Sequence, residues 1–511
     1  MASELPESLR GLLLERAYPH RTQSIKVIGT HISWVILTGE FAYKIKRPVR
    51  YAFVDQRTPE QRAFLCHEEL RLNRRFAPDL YLEVCPITLA DGEARIGGPG
   101  QAVEHAVRMR QFPQSEQLNC LIRESRIASA ELDAFGRALA LLHDRLPRPA
   151  AALQWGTPTA IRRIITDNLE ECAQAAQAWA TAAEWTGVHA ALLTRLETSM
   201  AVLAQRFAAG RIRECHGDLH TGNLVRTPHG LIPFDCLEFN PALRWIDVAD
   251  EVAFLVADLQ ASGAELHAHA FLHGYLEQSG DFDACRVLDL FRAHRSLVRA
   301  KVATLSPDGT GDFLRYLSRA RAALEPKRPR LVLMSGMSGS GKTWLAQRLA
   351  PLLGAVHMRS DIERRRLAGI DMRSSSHSAL DGGAYAPLMN EAVYERLAVC
   401  AQAIMEGGFT AIVDATFQRR MDRSRLCEVA ARLGARTWLI HCHAPDSILE
   451  ERINQRQRRH EDPSEADLSV LRAQSARFEP IGSDEPLTLV DASTDQAGIL
   501  ERVALALGLT P

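Results

Sequence analysis

The stretch that most constrains the fold is a glycine-rich run between an apolar segment and a helical pattern. It reads Gly-Met-Ser-Gly-Ser-Gly-Lys-Thr over residues 336–343; apolar residues 331–334 precede it and a helical pattern over 344–353 follows it. Glycines let backbone N–H groups turn toward a phosphate, and the positive N-terminal end of the following helix faces the same anion. Strand, glycine loop and helix in this order are the context of a phosphate-binding P-loop. The sequence therefore predicts a nucleotide-binding loop in an α/β domain.

Each polar residue of this loop has an expected role. Lys342 can reach the β- and γ-phosphate oxygens, and the hydroxyl of Thr343 can lie on Mg²⁺. The backbone that surrounds the phosphates is contributed by Gly336, Ser338, Gly339, Ser340 and Gly341. ATP and Mg²⁺ are therefore the predicted cofactors.

Composition narrows the class of protein. The chain has 511 residues, of which 46% are hydrophobic and 24% charged, and a formal net charge of −1. Such a chain is long enough to form two or three hydrophobic cores. Its net charge is close to zero, which gives no reason to expect DNA or an anionic membrane as the main partner. No run approaches the ~18 apolar residues of a membrane span, and residues 1–20 lack a secretory pattern. The ten cysteines form no CxxC pair, which favours reduced thiols in a cytoplasmic protein.

A charged segment interrupted by prolines, residues 324–330, marks the clearest boundary. We predict an N-terminal domain over 1–325, a linker over 326–330 and a C-terminal domain over 331–511. Strand-like patterns predominate early in the N-terminal part, and long helical patterns follow at about 160–208. A β-rich section followed by a helical one predicts an α+β domain with two lobes.

A second chemical signature lies in the N-terminal part. Asp218 is followed five residues later by Asn223, and Asp235 ends the next apolar strand. Phosphoryl transfer uses such a set, because one Asp accepts the hydroxyl proton while the Asn and the second Asp hold Mg²⁺ on the phosphates. A strand hairpin after the loop would bring the three side chains to one edge of a cleft. By spacing alone, polar loop residues that cap helices remain an alternative.

The run from His216 to Asn223 reads His-Gly-Asp-Leu-His-Thr-Gly-Asn. Together with Asp235, it resembles the signature of the aminoglycoside phosphotransferase and choline kinase family. That family has a protein-kinase-like fold, and the resemblance covers most of residues 25–300. It implies Asp218 as the catalytic base and Asn223 and Asp235 as metal ligands. It also implies a strand lysine that binds the phosphates and is paired with a helix glutamate.

Two lysines compete for that role. Lys44 and Lys46 alternate along one strand pattern and so share a face; Lys44 is preferred. Glu69 lies on the apolar face of the helix predicted over 59–76, whereas Glu68 points about 100° away, so Glu69 is the expected partner.

Other features of the N-terminal part bear on its activity. The glycine-rich loop expected over the phosphates is missing, since residues 29–33 contain one glycine, so a binding lobe without catalysis is an alternative. His143 is assigned to packing. Four acids after the metal Asp would form a modest acidic patch for a cationic substrate, and are equally explained as helix-terminus and solvent residues: Asp247, Asp250, Glu251 and Asp258.

Strand and helix patterns alternate in the C-terminal part, which predicts a parallel sheet with its active site at the carboxyl edge. Asp361 follows one strand pattern, Arg364 lies one helical turn later, and Asp414 ends another strand pattern. Arg452 and Arg456 share a face of a basic helix, as lid arginines over a triphosphate would; a solvated face is the alternative.

This part contains five segments that read SGMSGSGKT, RSDIERR, VDAT, ERINQR and FEP. Together they resemble the P-loop kinase group that includes polynucleotide kinases, gluconate kinases and zeta-toxin-like enzymes. The resemblance covers nearly all of 331–511. It implies Asp361 as the base that deprotonates the acceptor hydroxyl and Arg364 as a substrate or phosphate anchor. Arg452 and Arg456 would neutralise transferring charge. Asp414 is either the acid near Mg²⁺ or shares the role of Asp361, and the sequence does not rank the two.

Residues 464–467 and 478–480 are expected to end the lid. His441 and His443 share a strand face, but without a third nearby ligand we assign them to packing rather than to a metal site.

These observations predict a bifunctional ATP-dependent phosphotransferase that moves the γ-phosphoryl group to hydroxyl groups of small molecules, with one active site per domain. The expected partners are ATP and a small hydroxyl-bearing substrate, without a membrane. The main alternative is a P-loop kinase or NTPase regulated by a non-catalytic kinase-like domain. Phosphorylation of a polynucleotide 5′-hydroxyl is a further option, which the basic stretch 452–459 permits and the overall charge does not support.

Overall fold

The computed structural model describes residues 5–51, 54–90, 92–150, 153–306, 308–370, 387–459 and 468–509. Two compact units alternate along the chain. The first unit comprises Met1–Ala180, Leu203–Ala268 and Arg295–Tyr316. The second unit comprises Thr181–Val202, His269–His294 and Leu317–Pro511.

Strands and helices are numbered here in chain order. The strands before the P-loop are β1 Lys26–Gly29, β2 Ser33–Leu37, β3 Phe41–Lys46, β4 Arg50–Tyr51, β5 Val54–Asp55, β6 Tyr81–Ala90, β7 Glu93–Ile96, β8 Ala102–Arg110, β9 Ile212–Glu214, β10 Leu224–Thr227, β11 Gly230–Pro233 and β12 Trp245–Asp247. The helices before the P-loop are α1 Pro59–Asn73, α2 Leu118–Arg123, α3 Ser129–Arg145, α4 Pro158–Trp179, α5 Ala182–Ala208, α6 Val248–Ala261, α7 Glu265–Ser279, α8 Cys285–Ala303 and α9 Thr310–Leu324.

The remaining elements belong to the second unit. Its strands are β13 Arg330–Ser335, β14 Val356–Arg359, β15 Ala411–Asp414, β16 Arg436–His443 and β17 Thr488–Ser493. Its helices from the P-loop onward are α10 Lys342–Leu353, α11 Ser360–Leu367, α12 Pro387–Glu406, α13 Arg420–Arg432, α14 Asp446–Arg459, α15 Leu468–Arg477 and α16 Ile499–Ala506.

The first unit contains a six-stranded antiparallel sheet in the order β1-β2-β3-β8-β6-β7. Strands β2 and β3 form a hairpin that pairs from Leu37 with Ala42 outward, and Gly39 in its turn has φ +102°. Strand β3 is the third strand of the sheet and is buried along its whole length, which places its two lysines inside the unit.

Helix α1 covers this sheet by packing against β6 and β8. It begins with Pro59 after a reciprocal cap, in which the Thr58 hydroxyl accepts the Gln61 N–H and the Gln61 side chain accepts the Thr58 N–H. Its buried face includes Leu65, Glu69 and Leu72, so a carboxylate points into the core beside β3.

The second unit is built on a parallel sheet in the order β14-β15-β13-β16-β17, which confirms the predicted parallel α/β arrangement. Residues Leu331–Met334 of β13 are fully buried, as expected for a central strand with both faces covered. Because β13 lies between β15 and β16, the loop that follows it emerges at the carboxyl edge beside the ends of both neighbours.

The ten cysteines are free thiols. Nine are buried, and Cys120 on α2 is half-buried. Burial raises the pKa of the Cys66 thiol to about 12, and in the same way that of Cys172. A thiol with a raised pKa is inert toward oxidation and alkylation, because the thiolate is the reactive form. In the part of the chain that the structure describes, every helix is too short or too polar to cross a bilayer.

Candidate active sites

The site of the first unit is built on the loop between β9 and β10. The Asn223 side-chain N–H₂ donates to the Asp218 carboxylate at 3.0 Å and to the Asp218 backbone carbonyl at 3.0 Å. His220 Nε2 lies 3.6 Å from the same carboxylate. The hairpin of β10 and β11 then returns the chain, so the Phe234 N–H donates to the Asn223 carbonyl at 3.0 Å and Asp235 follows directly. The expected hairpin thus brings the loop and the strand end together.

Asp218 is accessible and charged. Its side chain remains 40% exposed. Desolvation would raise the pKa of Asp218, but His220 and Arg299 outweigh it and hold the pKa below its ordinary value. The carboxylate is therefore ionised at neutral pH and available as a hydrogen-bond acceptor.

Both candidate lysines reach the helix glutamate. Lys44 Nζ donates to Glu69 Oε1 at 2.8 Å, and Lys46 donates to the other oxygen of Glu69. Lys44 also forms an ion pair with Asp235, whereas Lys46 pairs with Glu238. Lys44 is therefore the lysine that meets the expected metal ligand.

Glu68 faces elsewhere, as its position one residue along the helix requires. Its carboxylate accepts from Arg71 and Arg244, both at 2.7 Å. The choice of Glu69 over Glu68 from the helical angle thus agrees with where the two side chains lie.

Two acids of α6 hold the ends of the loop between β9 and β10, and the sequence analysis missed this role. Glu251 accepts the His216 and Gly217 N–H groups, each at 2.8 Å. Asp258 accepts the N–H of Thr221 at 2.9 Å and its hydroxyl at 2.6 Å. The two acids are seven residues apart, which is about two helical turns and puts them on one face. Their seven-residue spacing in a mostly apolar helix was the available signal.

The acidic patch considered from the sequence is not a surface feature. Asp247 receives two hydrogen bonds from Arg206 at 2.8 Å, and Asp250 receives two from Arg295 at 2.7 and 2.9 Å. Both acids are buried, as are Glu251 and Asp258. The helix-terminus alternative holds for Asp247, which caps α6, and for Asp250 and Glu251 in its first turn, but all four acids are buried rather than in solvent.

His143 is buried, as a packing role requires, and lies beside Glu251 with Nε2 3.6 Å from Oε1. The ligand atoms of His143, Cys215 and Glu251 lie within 4.8 Å of one another, and no other group of three potential metal-ligating residues occurs in the described ranges. Glu251 already accepts two backbone N–H groups, and burial raises the pKa of the Cys215 thiol. The cluster therefore anchors the loop between β9 and β10.

The turn between β1 and β2 stands where a glycine-rich loop is expected. Two hydrogen bonds between Thr30 and Ser33 close it. The Thr30 hydroxyl accepts the Ser33 N–H at 2.9 Å, and the Thr30 backbone N–H donates to the Ser33 carbonyl at 2.8 Å. A short turn stabilised by a side chain replaces a flexible glycine loop.

The site of the second unit is the P-loop after β13. Gly336 has φ +136°, and a Cβ there would overlap the carbonyl oxygen of Cys442. At Gly339, with φ +80°, a Cβ would lie 2.9 Å from the Leu449 carbonyl oxygen. These positions require glycine because both the backbone conformation and the space exclude a side chain. Lys342 begins helix α10 and donates from Nζ to the Met337 carbonyl at 2.8 Å.

A polar cluster adjoins the P-loop at the carboxyl edge of the sheet. The Thr343 hydroxyl donates to Asp414 Oδ2 at 2.5 Å, and His357 Nε2 lies 3.5 Å from that oxygen. Burial would raise the pKa of Asp414, but His357 and Lys342 outweigh it and lower the pKa to about 2. The carboxylate is therefore ionised beside a hydroxyl, a combination of oxygen ligands that suits Mg²⁺.

Four other polar residues of this unit were considered in the sequence analysis: Asp361, Arg364, His441 and His443. Asp361 is the second residue of α11 and is half-buried. Arg364 is buried and donates from Nη1 to Asn390 Oδ1 at 2.6 Å. His443 donates or accepts at 2.9 Å with Asp491, and its ring stacks on His441 with centroids 6.0 Å apart.

Arg452 contacts the P-loop backbone rather than open space. Its guanidinium donates to the Thr494 hydroxyl at 2.9 Å and to the Gly339 carbonyl at 3.3 Å. The Thr494 hydroxyl in turn donates to the Ser340 carbonyl at 2.7 Å. The side chain of Arg456 and the predicted lid segment 464–467 lie outside the described residues.

Gln474 of α15 was not identified from the sequence. Its side-chain oxygen accepts the Ser338 N–H of the P-loop at 2.8 Å. Met337 of the same loop packs on the buried cluster of Leu449, Ile453 and Leu471. Helices α14 and α15 therefore contact the P-loop directly.

The strand order and the loop define a P-loop nucleotide-binding domain of the parallel α/β class, and the AAA domain family matches residues 331–481. The whole chain belongs to the family of an uncharacterized protein of Mycobacterium tuberculosis, Rv2004c. The two are 30% identical over 461 residues, 89% of this chain and 91% of the relative. The protein Mb2027c of Mycobacterium bovis matches with the same identity and coverage.

Solved structures are more distantly similar. A sugar kinase from Janibacter sp. HTCC2649 is 21% identical with a TM-score of 0.28, over 36% of this chain and 96% of that one. A choline/ethanolamine kinase family protein from Mesorhizobium loti is 14% identical with a TM-score of 0.35, over 59% of this chain and 92% of that one. At these scores the similarity does not indicate an activity.

Proposed function

We propose that the chain is an ATP-dependent phosphotransferase with one active site in each unit, both acting on hydroxyl groups of small molecules. The observation that carries the proposal is the hydrogen bond from Thr343 to Asp414 at the N-terminus of α10. It places a hydroxyl and an ionised carboxylate beside a loop whose N–H groups and lysine suit a triphosphate.

In the second unit, Lys342 leaves the Met337 carbonyl and binds the β- and γ-phosphate oxygens. Thr343 and Asp414 would hold Mg²⁺, which would neutralise negative charge on the phosphates. Asp361, near the start of α11, is the proposed base for the acceptor hydroxyl, and Arg364 anchors the acceptor. The contacts of Arg452 support a role in fixing the P-loop backbone, and Arg456 is the proposed arginine that neutralises charge on the phosphates.

In the first unit, Asp218 accepts the proton of the attacking hydroxyl and orients it. Asn223 donates through its amide nitrogen to Asp218, which leaves the amide oxygen to join Asp235 as a ligand of Mg²⁺. Lys44 binds the phosphates and Glu69 positions it. We also propose that this unit has the two-lobed protein-kinase-like arrangement, with the sheet and α1 in one lobe and the catalytic loop in the other.

The acceptor of the first unit is proposed to be neutral or anionic rather than polycationic. The four acids that could have formed a cation-binding surface are buried and bonded. Instead, His220 lies next to Asp218, and Arg299 is a quarter exposed and forms an ion pair with Asp258 at 3.3 Å. A cationic acceptor would be repelled by Arg299.

The test is ATP turnover on a panel of hydroxyl compounds that includes sugars, sugar acids, amino alcohols and aminoglycosides. Wild type, Lys342→Ala and Asp218→Asn are compared side by side. We expect each substitution to abolish phosphorylation of a different acceptor. Loss of every activity in Lys342→Ala together with no change in Asp218→Asn would contradict catalysis by the first unit.

That outcome would favour the second candidate function, in which the first unit binds a ligand and regulates the P-loop kinase. The observation in its favour is the turn closed by Thr30, which lacks the flexible glycines of a phosphate-covering loop. A nucleotide that binds the first unit without being turned over there would support it.

A further inference from the structure

Five charged side chains of the first unit form a continuous row, here called the charge row. It runs from Asp235 through Lys44, Glu69 and Lys46 to Glu238. Each lysine joins two carboxylates, and Glu69 at the centre accepts from both lysines through different oxygens. Two cations therefore serve three carboxylates.

The charge row opens to solvent at one end. The Asp235 side chain is 42% exposed, and that of Lys44 is 8% exposed. Lys46 and Glu69 are fully buried, and Glu238 nearly so. A buried lysine is stable only when paired, and Lys46 has no exposed surface through which it could reach a nucleotide. Lys46 is thus a permanent partner of its two carboxylates, whereas Lys44 adjoins the open end.

A lysine that binds phosphates must release some of its protein partners. If Lys44 turned away, Glu69 would lose one of its two cations in a fully buried position, and an uncompensated buried carboxylate is strongly destabilising. Burial would raise the pKa of Glu69, but Lys44 and Lys46 together outweigh it and lower the pKa to about 2. Lys46 remains on the second oxygen and so keeps Glu69 charged and in place.

Both ends of the charge row, Asp235 and Glu238, lie on one turn, and its first residue is the expected metal ligand. Asp235 has φ +66°, an uncommon backbone conformation for a residue other than glycine. Its N–H donates to the Tyr81 hydroxyl at 3.0 Å, and the next N–H, of Cys236, donates to Asn73 Oδ1 at 3.0 Å. The ion pair of Glu238 with Lys46 fixes the end of the same turn.

We propose that Lys46 and Glu238 are positioning residues that leave Lys44 free to move from Asp235 to the phosphates while Glu69 and the turn 235–238 stay in place. This inference rests on the proposed function of the first unit. Neither residue touches substrate; both act through Glu69, Lys44 and Asp235.

The test measures binding of a fluorescent ATP analogue with Mg²⁺ to the full chain. The parent protein carries Lys342→Ala and Thr343→Ala, so that the first unit is observed. Lys44→Met, Lys46→Met and the double variant are compared in this background. Lys26→Met is the matched control, because Lys26 is an exposed lysine on β1 of the same sheet.

We expect Lys46→Met to weaken binding of the Mg²⁺ complex by at least ~10-fold, since it leaves Lys44 as the only cation on two carboxylates. Because Lys46 acts through Lys44, the same substitution should have little effect once Lys44 is Met. Losses that simply add in the double variant would indicate general destabilisation and overturn the inference. So would a Lys46→Met protein that binds like its parent.

If Lys46→Met does not fold, Glu238→Gln tests the same pair. This variant removes the negative charge, but its amide oxygen can still accept a hydrogen bond from Lys46. We expect it to raise the Mg²⁺ concentration needed for half-maximal binding and to leave binding in EDTA unchanged. An unchanged Mg²⁺ requirement overturns the role of the pair. Failure of the proposed function looks different: the parent would not bind the analogue at all, and Lys44→Met would change nothing.

Discussion

Glu251 anchors the loop that carries Asp218, and this leads to a quantitative prediction for Glu251→Gln. The wild-type carboxylate accepts two buried N–H groups at 2.8 Å, and His143 beside it, against the effect of burial, holds its pKa below the ordinary value. A glutamine offers one oxygen, so one N–H must face an NH₂ donor. A buried unsatisfied donor costs ~1–3 kcal/mol, and a bond to a charged acceptor that becomes neutral loses ~1 kcal/mol more.

We therefore expect Glu251→Gln to lower the free energy of unfolding of the first unit by about 2–4 kcal/mol, a large fraction of the ~5–15 kcal/mol typical of a domain. Denaturant unfolding followed by tryptophan fluorescence measures this. Trp245, stacked on Trp155 with centroids 5.6 Å apart, lies on the strand paired with β9 and reports on this region.

Glu15→Gln is the matched control, because Glu15 is exposed in the same unit. Activity of the first unit should fall in Glu251→Gln at temperatures where the protein remains folded, since Gly217 precedes Asp218 directly. A variant whose unfolding midpoint and turnover both equal those of wild type would refute the anchoring role.

Three further predictions concern other sites. Thr343→Val keeps the shape of the side chain and removes the hydroxyl, so nucleotide affinity at the P-loop should fall ~10-fold or more with Mg²⁺ and stay constant in EDTA, as titration with a fluorescent nucleotide would show. Gly336→Ala should destabilise the second unit by more than ~3 kcal/mol, because the new methyl group would overlap the Cys442 carbonyl oxygen. The control Gly354→Ala, at φ +56° in open space, should destabilise it by only ~1 kcal/mol. Equal losses of stability in chemical denaturation would contradict this reasoning. Glu69 has a pKa of about 2 in the folded protein against 4.5 ordinarily, so its stabilisation is complete above pH ~4.5 and is lost as pH falls toward 2. Between pH 6 and pH 3, wild type should therefore lose ~2 kcal/mol more stability than Glu69→Gln, and parallel losses would argue against the pairing.

Local patterns were sufficient for much of the fold. The P-loop was predictable because its glycines, its lysine and its flanking elements are contiguous, and the parallel sheet followed from strands that alternate with helices. The family resemblance implied a strand lysine paired with a helix glutamate, and the helical and strand periods selected Glu69 and the two lysines of β3, since these periods determine which side chains share a face. Both lysines contact Glu69, as their shared face requires.

What escaped prediction depends on contacts between distant segments. The four acids over 247–258 were interpreted as an acidic patch or as helix-terminus and solvent residues. Their burial escaped prediction because polar side chains in a helix usually mark its solvent face, and a helix buried on all sides removes that distinction. Arg452 was correctly placed on a helix, but its face turns to Thr494, 42 residues later. The contact of Gln474 with Ser338 spans 136 residues, and no local pattern encodes it.

The distribution of the thiols makes the native chain selective toward alkylating reagents. Nine cysteines are buried, so Cys120 is the one that an alkylating dye reaches first in the folded protein. It lies on α2, and Gln117, the residue before that helix, donates to the Gly222 carbonyl at 3.4 Å. A fluorophore attached at Cys120 would therefore sit close to the loop that carries Asn223. Such a label would report whether that loop moves when a nucleotide is added to the natural sequence, without engineering a cysteine or removing the others.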